Sequence, residues 1–153
     1  MMNWILLVMA TIAAVVVAML LGGAMAPRTR RSVRSLYAAR RVNDVYACVR
    51  EADGPPRGCA ALPTMRVADA QAPDRITFTL IDDDGAEMGQ WDVTMAVVSG
   101  EDVRTCVTIT ETVTVQNLLL RFLRSFSGNG ARPQRFLEAV ARQLGVPADI
   151  YAA

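Results

Sequence analysis

The chain offers few residues that could do chemistry, and the most unusual of them is a carboxylate. Glu111 lies within "VTITETVTV" (107–115), in phase with the alternating apolar residues of a predicted strand. Two interpretations are open. Glu111 contacts a ligand or acts as an acid inside a cavity. Alternatively it is structural, and either marks a β-bulge or pairs with an arginine such as Arg121 or Arg124. We favour the structural interpretation.

Other residues of catalytic type lack the partners that they need. The sequence has no His, so a Ser or Cys nucleophile has no imidazole base, and "SFSGNG" (125–130) is not a nucleophile elbow. The acidic run at 82–84 before Gly85 lacks the spacing of a calcium loop and predicts a solvated hairpin turn. We therefore expect no catalytic residue and no enzyme activity. A cyclase-like activity of Glu111 with Tyr46 is the least favoured alternative.

The three cysteines do not form a metal-binding pattern. Cys48, Cys59 and Cys106 are irregularly spaced, and neither a CxxC pair nor a His is present to complete a zinc site. A Cys48–Cys59 disulfide would require an oxidising compartment. We expect free thiols, no metal and no cofactor.

An uncharged apolar segment at residues 4–26 predicts a membrane anchor over 1–27. About 23 residues at ~1.5 Å each span ~34 Å, which is enough for a bilayer core of ~30 Å. "AMA" (24–26) has the look of a signal-peptide cleavage site, but the run is long and no basic side chain precedes it. We favour an uncleaved anchor over a cleaved signal peptide.

Four arginines directly follow the apolar segment and set the expected orientation. Arg28, Arg30, Arg31 and Arg34 predict, by the positive-inside rule, a cytoplasmic C-terminal domain. The protein would then be a single-pass protein of a bacterial inner membrane, with a periplasmic domain as the alternative. The same arginines could contact anionic lipid headgroups.

Residues 28–153 are expected to form one soluble domain of mixed α and β structure. Val42, Val45, Tyr46 and Val49 have the spacing of an amphipathic helix. Alternation then predicts an antiparallel set of strands. The strands are expected at 64–70, 75–82, 89–98 and 103–115, and a short edge strand at 31–38. Apolar stripes beginning after Asn117 and at Phe136 predict two C-terminal helical stretches.

Several of these segments together resemble the SRPBCC superfamily of START-like, polyketide-cyclase-like domains. The resemblance is carried by "VNDVYACVRE" (42–51), "DRITFTLIDDDGAEMGQWDVTM" (74–95), "VTITETVTVQNLLLRFLRSFSGNG" (107–130) and "FLEAVARQLG" (136–145). It covers about 31–146 and implies a helix-grip fold, in which a curved antiparallel sheet wraps a long or broken C-terminal helix. Only residues 55–74 lie between the first helix and the "RITF" strand, which is space for one strand instead of several. A shortened grip with a smaller cavity is therefore expected.

Five residues are candidates for the wall of a ligand cavity inside such a grip. These are Tyr46, Phe78, Trp91, Glu111 and Phe122, for which a role in the core is favoured over a role in the wall of a binding site. A net charge of +1 argues against nucleic-acid binding.

We expect a non-catalytic accessory subunit that docks on a larger integral membrane protein complex. Energy-transducing complexes are one class of partner that we consider, and no residue of the sequence identifies the class. The alternative is a membrane-tethered carrier for a lipid, quinone or other apolar molecule. Membrane lipids are expected partners in both cases.

Overall fold

The chain is an α+β protein that divides into two compact units. The computed structural model describes residues 2–51, 63–82, 84–98, 103–119, 121–122 and 131–152. The first unit comprises Met1–Thr29 and Thr114–Gly128, and the second comprises Arg30–Val113 and Asn129–Ala153. The regular elements, in chain order, are α1 (Met2–Met25), β1 (Thr29–Ala38), α2 (Val42–Glu51), β2 (Thr64–Gln71), β3 (Arg75–Ile81), β4 (Glu87–Val97), β5 (Thr105–Thr114), α3 (Ala131–Leu144) and β6 (Ile150–Ala152).

The first unit is built around helix α1. Its stretch Trp4–Met25 has a mean hydropathy of 2.8 and is long and apolar enough to cross a membrane, criteria that a signal sequence also meets. After β5 the chain makes a helical turn, which we call the Asn117 turn and define as residues 117–119, 121 and 122. Asn117 caps this turn, because its Oδ1 accepts a hydrogen bond of 2.9 Å from the Leu119 backbone N–H.

The second unit is an antiparallel six-stranded sheet in the order β2-β3-β4-β5-β1-β6, with α2 and α3 packed on it. The consecutive strands β2 to β5 form the predicted antiparallel arrangement. β1 then lies beside β5 and not beside β2. The sheet therefore brings the beginning of the domain next to its last long strand.

The core lies between the sheet and the two helices. Alternate residues of β5 are buried, from Thr105 through Val107, Ile109, Glu111 and Val113. Helix α3 contributes Phe136, Leu137, Val140 and Ala141 to the same apolar cluster, and α2 contributes Val45 and Val49. Most of the stability of these short helices comes from such burial, at ~1.5–3 kcal/mol for each large side chain.

The sequence pattern missed two features of this unit. Helix α3 begins at Ala131, five residues before the apolar stripe, because Pro133 is tolerated in the first turn of a helix. Strand β6 was not predicted, since three residues carry too little alternation to be recognised. It pairs with β1 in antiparallel register, with Tyr151 opposite Ser35. The sequence also predicts a loop at 53–63 and a hairpin turn at 99–102. The loop lies outside the described residues except for Pro63, and the turn lies wholly outside them.

Candidate functional site

A row of side chains crosses the buried face of the sheet and contains three of the residues that the sequence singled out. Phe78 of β3 is directly opposite Trp91 of β4, and Trp91 is directly opposite Glu111 of β5. Ser32 of β1 continues the row on the far side of Glu111. We call Phe78, Trp91, Glu111 and Ser32 the polar–aromatic row.

Glu111 is held from both sides of its strand. The Trp91 indole Nε1–H donates to Glu111 Oε1 at 3.1 Å, and the Ser32 hydroxyl donates to Glu111 Oε2 at 3.1 Å. The carboxylate is only 8% exposed, and a buried polar group costs free energy unless it is hydrogen-bonded. Its two oxygens thus connect three neighbouring strands at the centre of the sheet.

The structure contradicts two of the expectations for Glu111, a bulge between β4 and β5 and a pairing with Arg121. No bulge occurs in the β4–β5 pairing, which runs without a shift from Gly89–Val113 to Val97–Thr105. The guanidinium of Arg121 binds backbone carbonyls, donating from Nε to Val115 and from Nη2 to Gln116, the latter at 3.0 Å. The carboxylate therefore stays in the regular alternation because an indole and a hydroxyl satisfy it. Arg124 lies outside the described residues.

Aromatic rings occupy the space between the row and helix α3. The ring centroids of Trp91 and Phe136 are 5.3 Å apart and those of Phe78 and Phe136 are 6.3 Å apart, both in edge-to-face arrangements. All three side chains are fully buried. Such pairs add ~0.5–1.5 kcal/mol each beyond the burial of their area. Between the sheet and α3, these three aromatic side chains therefore pack against one another.

The other two ligand candidates lie elsewhere. Tyr46 is on α2, 9% exposed, and belongs to the core cluster of the second unit. Phe122 belongs to the first unit, where its ring lies against Gly22 of α1: a Cβ added at Gly22 would come within 2.7 Å of the ring. The structure therefore groups Phe78, Trp91 and Glu111, places Tyr46 in the same core, and assigns Phe122 to the other unit.

Among the described residues, every buried side-chain nitrogen or oxygen atom has a hydrogen-bond partner. Thr105, for example, donates to the Arg40 carbonyl at 2.8 Å. The same part of the chain contains no group of three or more His, Cys, Asp or Glu that could hold a metal ion. Polar atoms inside the second unit are thus used to connect its own elements.

Of the described cysteines, Cys48 and Cys106 are both free thiols. Burial, and to a smaller extent the Glu51 carboxylate, raises the pKa of the Cys48 thiol above its usual value of 9.0. The thiol therefore stays protonated at neutral pH and is a weak nucleophile, since the thiolate is the reactive form. Cys59 lies outside the described residues.

The four arginines that follow α1 differ in exposure. Arg28 and Arg31 are exposed, whereas Arg30 and Arg34 are half-buried on β1. Arg30 and Arg34 are in phase with Ser32, and Arg31 faces the other side of the strand. Arg34 donates from Nη1 to the Val33 carbonyl at 3.3 Å.

Sequence reasoning missed the role of Ser32 and gave Arg121 the wrong partner. Ser32 lies in "TRRSVRS", a segment whose alternation is too weak to show which hydroxyl faces the core. Arg121 is 6% exposed although it is charged. Its position inside the apolar run "NLLLRF" was the available signal, because a charge surrounded by apolar residues needs an internal partner.

Comparisons with known proteins give little beyond this. No family model matches the chain, and no curated protein matches it. Among solved structures, the chain is similar to the crystal structure of protein Ms6760 from Mycobacterium smegmatis, with 10% identity, 75% of this chain and 86% of that chain covered, and a TM-score of 0.41.

Proposed function

We propose that the protein is a non-catalytic accessory subunit of a bacterial inner membrane. Helix α1 crosses the bilayer once, and the chain docks through α1 and its soluble domain on a larger integral membrane protein complex. Arg28, Arg30, Arg31 and Arg34 keep the C-terminal domain in the cytoplasm. The second unit is, in this proposal, a shortened SRPBCC-like helix-grip domain. The position of β1 beside β5, with α3 packed on the sheet, supports that assignment.

The observation that carries the proposal is a contrast between the two units. The second unit packs its aromatic side chains against each other and binds its buried carboxylate internally. The first unit leaves a long apolar helix uncovered: none of the most apolar window of Trp4–Met25 is buried. Exposed apolar surface of this extent marks a membrane or protein contact. The function is therefore assigned to what α1 and the domain bind, and not to chemistry inside the domain.

Small residues on α1 indicate where a partner helix would lie. Ala14, Ala18 and Gly22 are spaced by four residues, so they share one face of the helix. Gly22 is already in contact with Phe122 of this chain, whereas Ala14 and Ala18 are exposed. Helices in a bilayer approach closely where such small residues align. Ala14 and Ala18 are thus the proposed docking position within the membrane.

The proposal is tested by purifying the full-length protein, expressed at its natural level, in mild detergent. We expect specific integral membrane proteins to co-purify in a fixed ratio. Ala18→Leu should reduce that ratio several-fold, because the added volume separates the helices. Ala13→Leu is the matched control, since it adds the same volume on another face of α1 and should have little effect.

Two outcomes would contradict the proposal. A monodisperse monomer without a partner, under conditions that retain other membrane complexes, counts against an accessory subunit. Recovery of one apolar small molecule in a 1:1 molar ratio with the purified protein favours the carrier function instead. Mass spectrometry of the organic extract, with an unrelated single-pass protein as control, makes that measurement.

A further inference from the structure

The Asn117 turn exposes two leucines and buries its charge. Leu118 and Leu119 are 36% and 43% exposed, whereas Arg121, two residues later, is 6% exposed. Soluble proteins show the opposite preference, because arginine is rarely buried and leucine usually is. The inversion indicates that the outer face of this turn is adapted to apolar surroundings.

Local hydrogen bonds hold the turn in this orientation. Arg121 donates through its guanidinium to the carbonyls of Val115 and Gln116, and its backbone N–H donates to the Asn117 carbonyl at 3.0 Å. The charge is thus satisfied by the backbone that leads into the turn. The same turn thus holds Arg121 inside while Leu118 and Leu119 are exposed.

The turn packs on the end of α1 inside the first unit. The Phe122 ring contacts Gly22, and the Leu118 carbonyl lies so close to Gly23 that a Cβ there would overlap it. The Val115 N–H donates to the Arg28 carbonyl at 2.9 Å, just beyond the end of α1. The exposed leucines therefore lie beside the same end of α1 as Leu21 and Met25, which are 62% and 89% exposed.

We propose that the Asn117 turn inserts Leu118 and Leu119 into the bilayer leaflet in which α1 ends, as a second, interfacial lipid contact. The inference rests on the membrane anchor of the proposed function. The buried arginine and outward leucines match the requirement that apolar groups face lipid while charges are bonded internally. The chain thus contacts lipid twice, before β1 and again after β5.

Spin labels on the full-length chain in phospholipid vesicles test this contact. Single cysteines are placed at Leu119, at Ile12 within α1, and at Gln143 on α3, in a background with Cys48, Cys59 and Cys106 replaced by Ala. The vesicles contain phosphatidylcholine and phosphatidylglycerol, and collision with oxygen is compared with collision with a water-soluble nickel complex. We expect the oxygen-to-nickel ratio at 119 to be several-fold above that at 143 but below that at 12, because 12 lies near the middle of the span and 119 at the interface.

The other outcomes separate this inference from the proposed function. A label that meets lipid at 12 and water at 119 overturns the second contact but leaves the anchor intact. Water at position 12 contradicts the anchor, and with it the proposed function. Low accessibility to both reagents at 119 means that protein covers the leucines, which also overturns the inference.

A measurement on the unmodified protein is available if the cysteine-free background does not fold. A photoactivatable phosphatidylcholine in the same vesicles should cross-link to the tryptic peptide 105–121, which contains Leu118 and Leu119. Cross-links confined to peptides from α1 would count against the second contact. The peptide that contains Gln143 serves as the water-exposed control.

Discussion

Glu111 shows how a carboxylate can be hydrogen-bonded on the apolar face of a strand. Its oxygens accept from the Trp91 indole on one neighbouring strand and from the Ser32 hydroxyl on the other. Hydrogen bonds to a charged group stabilise a fold by ~1.5–3 kcal/mol each, provided that both partners are present. The polar–aromatic row thus specifies which residues of β1, β4 and β5 face one another.

Replacement of Glu111 should change stability in a graded way. Glu111→Ala leaves two donors without an acceptor, and we expect it to reduce the free energy of unfolding by ~2–4 kcal/mol. Glu111→Gln keeps an acceptor for Trp91, while its amide can donate to the rotated Ser32 hydroxyl, so the loss should be ~1 kcal/mol or less. Denaturant unfolding in detergent, followed by circular dichroism, measures both.

Ser32→Ala is the control for this series, because it removes one donor and leaves the Trp91 bond in place. Its free energy of unfolding should lie between those of the wild-type protein and Glu111→Ala. The structural assignment is contradicted if Glu111→Ala unfolds at the wild-type denaturant concentration. Loss of a bound small molecule from a variant of unchanged stability would indicate the ligand function instead.

For single residues, the sequence predicted the face of the strand that a side chain occupies better than the residues that it contacts. The alternation around Glu111 correctly places it on the buried face, because side-chain direction in a strand depends only on sequence parity. Its partners depend on strand register. Ser32 is 79 residues away in sequence, and no local pattern states which residue of β1 meets which residue of β5.

Helices and strands were predictable where they contain several repeats of their hydrophobic pattern. β3, β4, β5 and α2 carry several repeats of their pattern and appear within about two residues of the expected bounds. α3 ends at Leu144, where Gly145 adopts a φ of 66° and closes the helix. The contact between the Asn117 turn and α1 was not predicted, since it joins segments that are distant in sequence.

The glycine pair at the end of α1 should be required for that contact. Gly23→Ala would normally strengthen a helix by up to ~1 kcal/mol. Here the new Cβ would overlap the Leu118 carbonyl, so we expect the Asn117 turn to be displaced. Trypsin should then cleave after Arg121 faster than in the wild-type protein. Cleavage in detergent is followed by mass spectrometry.

Ala24→Val provides the matched control, since it adds volume at the neighbouring, exposed position of α1. It should leave cleavage after Arg121 unchanged. Equal cleavage rates for Gly23→Ala and the wild-type protein would show that the turn does not depend on its approach to Gly23.

For the whole molecule, the distribution of arginine is the main argument for orientation. The sixteen basic residues are all Arg, and four of them follow the apolar segment within nine residues, at 28, 30, 31 and 34. Positive charge close to a membrane span resists translocation, whereas charge far along a domain contributes little. The sequence thus predicts on which side the second unit lies, although the fold itself is compatible with either.

Moving positive charge from the C-terminal to the N-terminal side of α1 should reverse the orientation of the protein in the membrane. In the wild-type chain, a C-terminal fluorescent protein should fluoresce in the cytoplasm, and a C-terminal alkaline phosphatase should be inactive. Replacing the four flanking arginines by Gln, together with Met2→Arg and Asn3→Arg, should invert both signals. The control carries the same two N-terminal arginines but loses Arg50, Arg132, Arg135 and Arg142, and it should keep the wild-type orientation.

The wild-type measurement alone can contradict the model of a cytoplasmic, anchored domain. Active phosphatase on the unaltered chain would place the second unit outside the cytoplasm. A mature protein that lacks residues 1–26 by N-terminal sequencing would identify α1 as a cleaved signal peptide. In that case Leu118 and Leu119 would lose the helix on which the Asn117 turn packs, and the exposed leucines would need a protein partner. If instead the intact chain resists extraction by alkaline carbonate and inverts only with the flanking arginines, α1 is the anchor and its charges determine the orientation.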